Sequence, residues 1–241
     1  MNLDYLTTAA NWWGPAGILH RIYEHLYFTV TSMVIALVIA MPVAIAAGHT
    51  GRMGFLAINV SNVGRAVPSI AFLGLASQLL PHGYDSTWPT IIALVLLALP
   101  PLVTNTYVGM READKDAVDA ARGMGMAPTQ VALRVEFPLA LPLVMAGLRT
   151  SVTNVIATAT LAALVAQGGL GRLIVDGQVN DNSELVAGAI LVAVLAILAD
   201  LLLAGTTQLV SPVARAGSTG RVARLRRARR PDQLRAEPVG A

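Results

Sequence analysis

Apolar positions along the chain gather into five long runs, separated by shorter stretches in which charges, glycines and prolines concentrate. A bilayer core takes about 20 mostly apolar residues per helix. Runs of that length cover 25–47, 55–80, 88–108, 139–164 and 185–209. Pro42, Pro68, Pro100, Pro101 and Pro142 fall inside or at the ends of these runs, which helices in lipid tolerate when neighbours satisfy the freed backbone groups. The pattern predicts an all-α, polytopic membrane bundle of about five transmembrane helices. Composition agrees, since 55% of the 241 residues are hydrophobic and 13% are charged, about half the charge of a soluble domain.

Charge placement sets the expected direction of the spans. Eight of the 17 Lys+Arg lie after residue 210, leaving residues 1–210 with 9 basic and 12 acidic side chains, net −3. With an odd number of spans the termini face opposite sides. Placing the arginine-rich end in the cytoplasm then puts 13 of the 17 basic residues there, as the bias of short loops requires. The expectations are an extracytoplasmic N-terminal segment over 1–24, a membrane domain over 25–210 and a disordered Arg-rich cytoplasmic tail over 211–241. Trp12 and Trp13 suit either an interfacial segment or a solvated arm. Asp4 stands where a signal peptide needs a basic residue, so insertion is expected to rely on internal spans.

Several chemistries are excluded or unsupported. There is no cysteine, hence no disulfide, thiolate metal site or thiol nucleophile. His20, His25, His49 and His82 show none of the short spacings that metal ligands use. The lone lysine, Lys115, stands between Asp114 and Asp116, so no phosphate-gripping lysine follows a glycine loop. No catalytic residues, no metal and no cofactor bound by this chain are expected, and nucleotide hydrolysis would need a partner.

The most informative stretch is the polar element 109–138 between the third and fourth spans. Read at helical period, Ala113, Ala117, Ala120, Ala121 and Met124 share one face, with Asp114, Lys115, Asp119 and Arg122 on the others. Gly123 and Gly125 break this helix, Pro128 suits the first position of a second one, and Pro138 ends it. Two short helices with a glycine corner are predicted.

Here the residues resemble a family. Asp119-Ala120-Ala121, three residues, Gly125, nine residues, Val135, one residue, Phe137-Pro138 is similar to the Glu-Ala-Ala…Gly…Ile-x-Leu-Pro pattern of permease subunits of bacterial ABC importers. It departs from that pattern in Asp for Glu, Val for Ile and Phe for Leu. The resemblance implies that the loop docks in the ATPase subunit through Asp119, Ala120, Ala121, Gly125, Met126 and Pro128, with Pro138 closing the pattern. It further implies ATP-Mg on the partner ATPase, a second permease subunit (homo- or heterodimer) and an extracytoplasmic substrate-binding protein. Gly64-Arg65-Ala66-Val67-Pro68-Ser69, Asn105-Thr106-Tyr107, Thr158-Ala159-Thr160-Leu161 and Gly168-Gly169-Leu170-Gly171 resemble the branch importing glycine betaine, carnitine and choline. Permeases for methionine and for sulfonates share parts of this set and stay open as alternatives. A gated osmolyte channel is the rival outside the class.

Arg65, Arg149 and Asp200 fall within the spans at comparable depths, where isolated charges cost several kcal/mol. They are expected to face the bundle interior, Asp200 pairing with Arg149 or Arg65, as part of a gate or as a static tie. Ser69, Gln78, Asn105, Thr153, Asn154, Thr158 and Thr160 are candidate pathway lining or interhelical glue. Arg172, Asp176, Asp181 and Glu184 in the loop 165–184 are candidates for contacting the binding protein, with solvated charges the alternative. The tail is expected to meet anionic membrane lipid and no nucleic acid.

Overall fold

The computed structural model of the chain describes residues 4–52, 59, 68–79, 86–165 and 167–210. The regular elements among the described residues are all helical: α1 (Asp4–Thr7), a 3-10 turn (Ala9–Trp12), α2 (Ile18–Thr50), α3 (Ser69–Leu79), α4 (Trp88–Arg111), α5 (Lys115–Gly123), α6 (Pro128–Val131), α7 (Phe137–Ala159), α8 (Gly171–Gly177) and α9 (Asn182–Val210). A π turn over Ala132–Glu136 joins α6 to α7, and a 3-10 turn over Thr160–Val165 extends α7. Among the described residues four helical stretches are long and apolar enough to cross a membrane: Ile18–Thr50, Trp88–Arg111, Pro128–Val165 and Asn182–Thr207. Ser69–Leu79 is a shorter apolar helix inside the second predicted run, half of which lies outside the described residues.

Helices α2, α4 and α7 form the centre. Ala36, Ala40, Ala44 and Gly48 recur every four residues along α2 and are all buried, and such a stripe of small residues lets a neighbouring backbone approach closely. Helix α4 takes that place. Its Met110 lies where a Cβ on Gly48 would fall, 2.5 Å from the Met110 Cβ. Phe28, Met33, Leu94, Leu102 and Val155 complete the shared core. Because lipid gives no hydrophobic drive between helices, packing and polar links hold them. The Ser151 hydroxyl donates to the Ala98 carbonyl at 2.9 Å, and that of Ser32 to the Ile91 carbonyl at 3.3 Å. Each such link contributes about 0.6 kcal/mol.

The α4–α7 contact is comparably tight. A Cβ on Gly147 would lie 2.7 Å from the Asn105 Cβ and 2.9 Å from the Pro101 carbonyl oxygen. Gly147→Ala must push the two helices apart, and overpacking of this kind costs about 1–3 kcal/mol. A lowered thermal midpoint in detergent checks this expectation.

Helix α9 is outermost, with Val194, Ile197, Leu198, Leu201 and Leu202 exposed. Helices α2 and α4 run in the same direction, since Ser32 meets Ile91 near one end and Gly48 meets Met110 at the other.

Candidate functional site

Three clusters of polar side chains stand out: one around α5, one midway along the bundle and one at the far end.

Helix α5 begins on Asp114, whose carboxylate accepts the N–H groups of Asp116 (2.9 Å) and Ala117 (3.3 Å), a standard N-cap arrangement. It ends in a Schellman motif. Gly125 N–H reaches the Arg122 carbonyl, Met126 N–H reaches that of Ala121, and Gly125 takes φ +79°. Gly125 is therefore required for its backbone, and nothing lies within 4 Å of a Cβ there. Gly123, by contrast, is an ordinary last residue of α5. Pro128 opens α6, with Gln130 Oε1 accepting the Ala127 N–H at 3.0 Å.

Two expectations for this element are corrected. The buried face of α5 is Val118 and Ala121, preceded by Ala113 and packed on Val131. Ala117, Ala120 and Met124 lie on the exposed side, Met124 being 76% exposed. The five residues expected on one face are thus divided, because the larger valine, which Val131, Val135 and Leu139 can cover, turns inward and takes Ala121 with it. Nor does Pro138 end the second helix. A proline inside an α-helix clashes with the carbonyl four residues earlier, and the widened π turn directly before it, closed by Phe137 N–H to the Ala132 carbonyl, absorbs that conflict. The helix runs on into α7. Asp119 is exposed and only loosely paired with Arg122 at 3.8 Å; Ala120 is exposed, Ala121 buried and Met126 half-buried.

Arg149 of α7 and Asp200 of α9 meet midway, Nε to Oδ1 at 2.8 Å and Nη2 to Oδ2 at 2.7 Å. This is the bidentate fork that gives an Arg–carboxylate pair both strength and fixed geometry. Their side chains remain 37% and 36% exposed. Arg65 lies outside the described residues. Further along α7, Asn154 is exposed and Thr158 half-buried, and neither side chain makes a hydrogen bond among the described residues. Ser69 is half-buried at the start of α3. Asn105 Nδ2 donates to the Pro101 carbonyl at 2.8 Å, Thr153 to that of Arg149 at 2.9 Å and Thr160 to that of Ala157 at 2.7 Å, so these three serve their own helices.

The sequence reading overlooked three contacts. His49 Nδ1 lies 2.7 Å from Glu136 Oε2 and joins the last turn of α2 to the π turn. At the far end, fully buried His25 places Nε2 3.0 Å from the Ile156 carbonyl. Glu24 accepts the Gly169 N–H at 2.8 Å and pairs with Arg21 at 2.9 Å. A Cβ on Gly168 would fall on the Glu24 carboxylate, and Gly169 takes φ +89°, which accounts for the glycine run. The available signal was position: each of these polar residues sits within a few residues of a span end.

At the same far end Arg172 pairs with Asp176 at 2.8 Å, and the Tyr5 hydroxyl donates to Glu184 at 3.3 Å. Partial burial, then the Glu184 carboxylate, push the Tyr5 phenol above the ordinary tyrosine range. The Ser183 hydroxyl and N–H both donate to Asp181 and hold its carboxylate below the usual range.

The family model described as the binding-protein-dependent transport system inner membrane component matches residues 32–210. The chain belongs to this family. The family is one of ABC transporter permease subunits, which are not themselves enzymes, and the chain is accordingly a multi-pass membrane protein. Among curated relatives, the carnitine transport permease protein OpuCB of Listeria monocytogenes is 34% identical over 82% of this chain and 89% of its own length. The glycine betaine/carnitine/choline transport system permease protein OpuCB of Bacillus subtilis is 34% identical over 81% and 89%. The osmoprotectant import permease protein OsmY of Salmonella typhimurium is 35% identical over 81% and 83%. In fold, the chain resembles the MetNI methionine ABC transporter in its inward facing conformations. The TM-score is 0.70 at 19% identity, covering 80% of this chain and 95% of that one.

Proposed function

We propose that this chain is the permease subunit of an ATP-driven importer in a bacterial cell membrane, and that it carries a compatible solute of the glycine betaine, carnitine and choline class inward. The observation that carries the solute class is the likeness, over four-fifths of the chain, to permeases named for those solutes. The energy comes from ATP-Mg bound by partner ATPase subunits. A second permease chain and an extracytoplasmic binding protein complete the assembly.

The geometry supports this reading at each level. That α2 and α4 are parallel supports a further crossing between Thr50 and Trp88, and with it the proposed five spans and termini on opposite sides. Residues 1–24 and the loop 165–184 then face outward, where Arg172, Asp176, Asp181 and Glu184 meet the binding protein. The coupling loop 109–138 and the Arg-rich stretch 211–241 face the cytoplasm, the latter against anionic lipid. Asp119, Ala120 and Met124, exposed along α5, and Pro128 beyond the Gly125 corner form the surface seated in the ATPase. Ser69, Asn154 and Thr158 line the path. Arg149 and Asp200, with Arg65 as the third charge, form the gate, because a pair one-third exposed inside a bilayer needs water or protein rather than lipid over it.

ATP binding draws the docked ATPases together and moves the loops, opening the path outward; hydrolysis resets it. A β-branched residue is a poor fit to the φ +79° of Gly125. Gly125→Val is therefore expected to leave the permease inserted while ATPase co-purification falls severalfold. Proteoliposome uptake of labelled glycine betaine is expected to stop with a hydrolysis-dead ATPase. Uptake that persists would identify a channel instead and overturn the reading.

A further inference from the structure

The end of the bundle that carries α5 holds a half-open hollow of about 200 Å³ whose polar lining is His49, Arg111, Lys115, Asp119, Arg122 and Glu136. A single water needs about 10–15 Å³ of such space, so the hollow is an order of magnitude larger. Four elements converge on it: the last turn of α2, the last turn of α4, one side of α5 and the π turn that carries Glu136.

The two carboxylates are already engaged. Glu136, 6% exposed, is held by His49 Nδ1 at 2.7 Å, while Asp119 turns outward, 75% exposed, 3.8 Å from Arg122. Arg111 and Lys115 form no ion pair among the described residues, although Glu112, Asp114 and Asp116 are their sequence neighbours. Arg111 is held in place by packing. Its guanidinium lies over Gly51, the left-handed cap of α2, where a Cβ would come within 2.8 Å of Nη1. Gly48, one turn earlier, admits Met110 in the same way. The backbone at the end of α2 is thus shaped to bring a cation to the wall of the hollow.

We propose that this hollow binds a phosphate group. Arg111 offers the planar, two-pronged donor that matches phosphate oxygens; Lys115 adds a point charge from the start of α5, and Arg122 a third cation one helical face further on. A bound phosphate ties the ends of α2 and α4 to α5 and so stiffens the base of the loop. The same chemistry is offered by a phospholipid headgroup at the membrane surface and by free phosphate. Only the source of the anion rests on the cytoplasmic placement proposed above. In detergent, where sidedness is absent, binding is read without it.

The test uses the purified permease–ATPase complex. Inorganic phosphate is titrated calorimetrically against delipidated complex at fixed ionic strength, and phosphatidylglycerol retained through purification is counted by native mass spectrometry. Saturable phosphate binding that weakens about tenfold in Arg111→Gln and in Lys115→Gln, as loss of one charged hydrogen bond predicts, supports a soluble source. Retention of phosphatidylglycerol by wild type but not by Arg111→Gln, without phosphate binding, supports the lipid. Arg134→Gln, an exposed arginine outside the hollow, is the control and leaves both unchanged. Absence of both ligands from wild type, or equal weakening by Arg134→Gln, overturns the site. ATPase co-purification in the same samples reports separately on the proposed function.

Discussion

Asp200→Asn is expected to reduce solute uptake by about tenfold or more, because it strands Arg149 as an unpaired cation inside the membrane domain, among the most costly single changes such a domain can suffer. The bidentate contact of 2.8 and 2.7 Å makes the loss directional as well as electrostatic, since an amide offers only one acceptor oxygen to the fork. Arg149→Gln is expected to be as damaging, and Arg149→Gln with Asp200→Asn less so than the product of the two. Uptake in proteoliposomes, with detergent thermal stability measured beside it, separates the roles. Should the two single changes reduce transport independently, the pair does not act as a unit and the gate is elsewhere. Should stability fall with transport in proportion, the pair is a static tie between α7 and α9.

The second large effect is expected at the opposite end of the chain's central helices. His25 is fully buried and its ring nitrogen reaches the Ile156 carbonyl just where α7 gives way to the 3-10 turn. His25→Ala removes that donor and leaves a void. An unsatisfied backbone group in an apolar setting costs several kcal/mol, and truncating a large buried side chain costs about 3–5 kcal/mol. Loss of stability on that scale, read by denaturant unfolding in detergent, is the expected result. His25→Gln, which can still offer an N–H, should recover part of it. Equal loss in both variants would show that ring packing, not the hydrogen bond, matters at this position.

The helical architecture and the position of the loop element were legible because they depend on composition over windows of 20 residues, where single contacts average out. The predicted runs 88–108 and 185–209 fall within Trp88–Arg111 and Asn182–Val210, and 25–47 within the longer Ile18–Thr50. Helix ends were less legible. The extra turns at Ile18–Glu24 carry His20, Arg21 and Glu24, polar residues that hydropathy discards but that here clasp the Gly168–Gly169 turn. The division of the alanine face on α5 was not legible for a different reason. Nine residues with three alanines hold two apolar stripes, and only the approach of Val131 from the following helix turns the one through Val118 and Ala121 inward. Pro138 was misread because proline penalties assume a regular α ladder, whereas the π turn of Ala132–Glu136 has already widened it. His49 and Glu136, 87 residues apart, could not be joined by any local rule.

The uninterrupted stretch from Pro128 to Val165 makes the proposed docking corner and the cation of the ion pair two points on one rod. Twenty-one positions separate Pro128 from Arg149, about 32 Å at 1.5 Å per residue. A displacement applied at the corner therefore meets one irregularity, the π turn of Ala132–Glu136, before it reaches the guanidinium. The two-oxygen grip of Asp200 would feel it as a rotation of its partner, a torque to which a single-pronged cation would be far less sensitive. The π turn near the driven end is where such a rod can slip register by a residue, in the manner of a clutch.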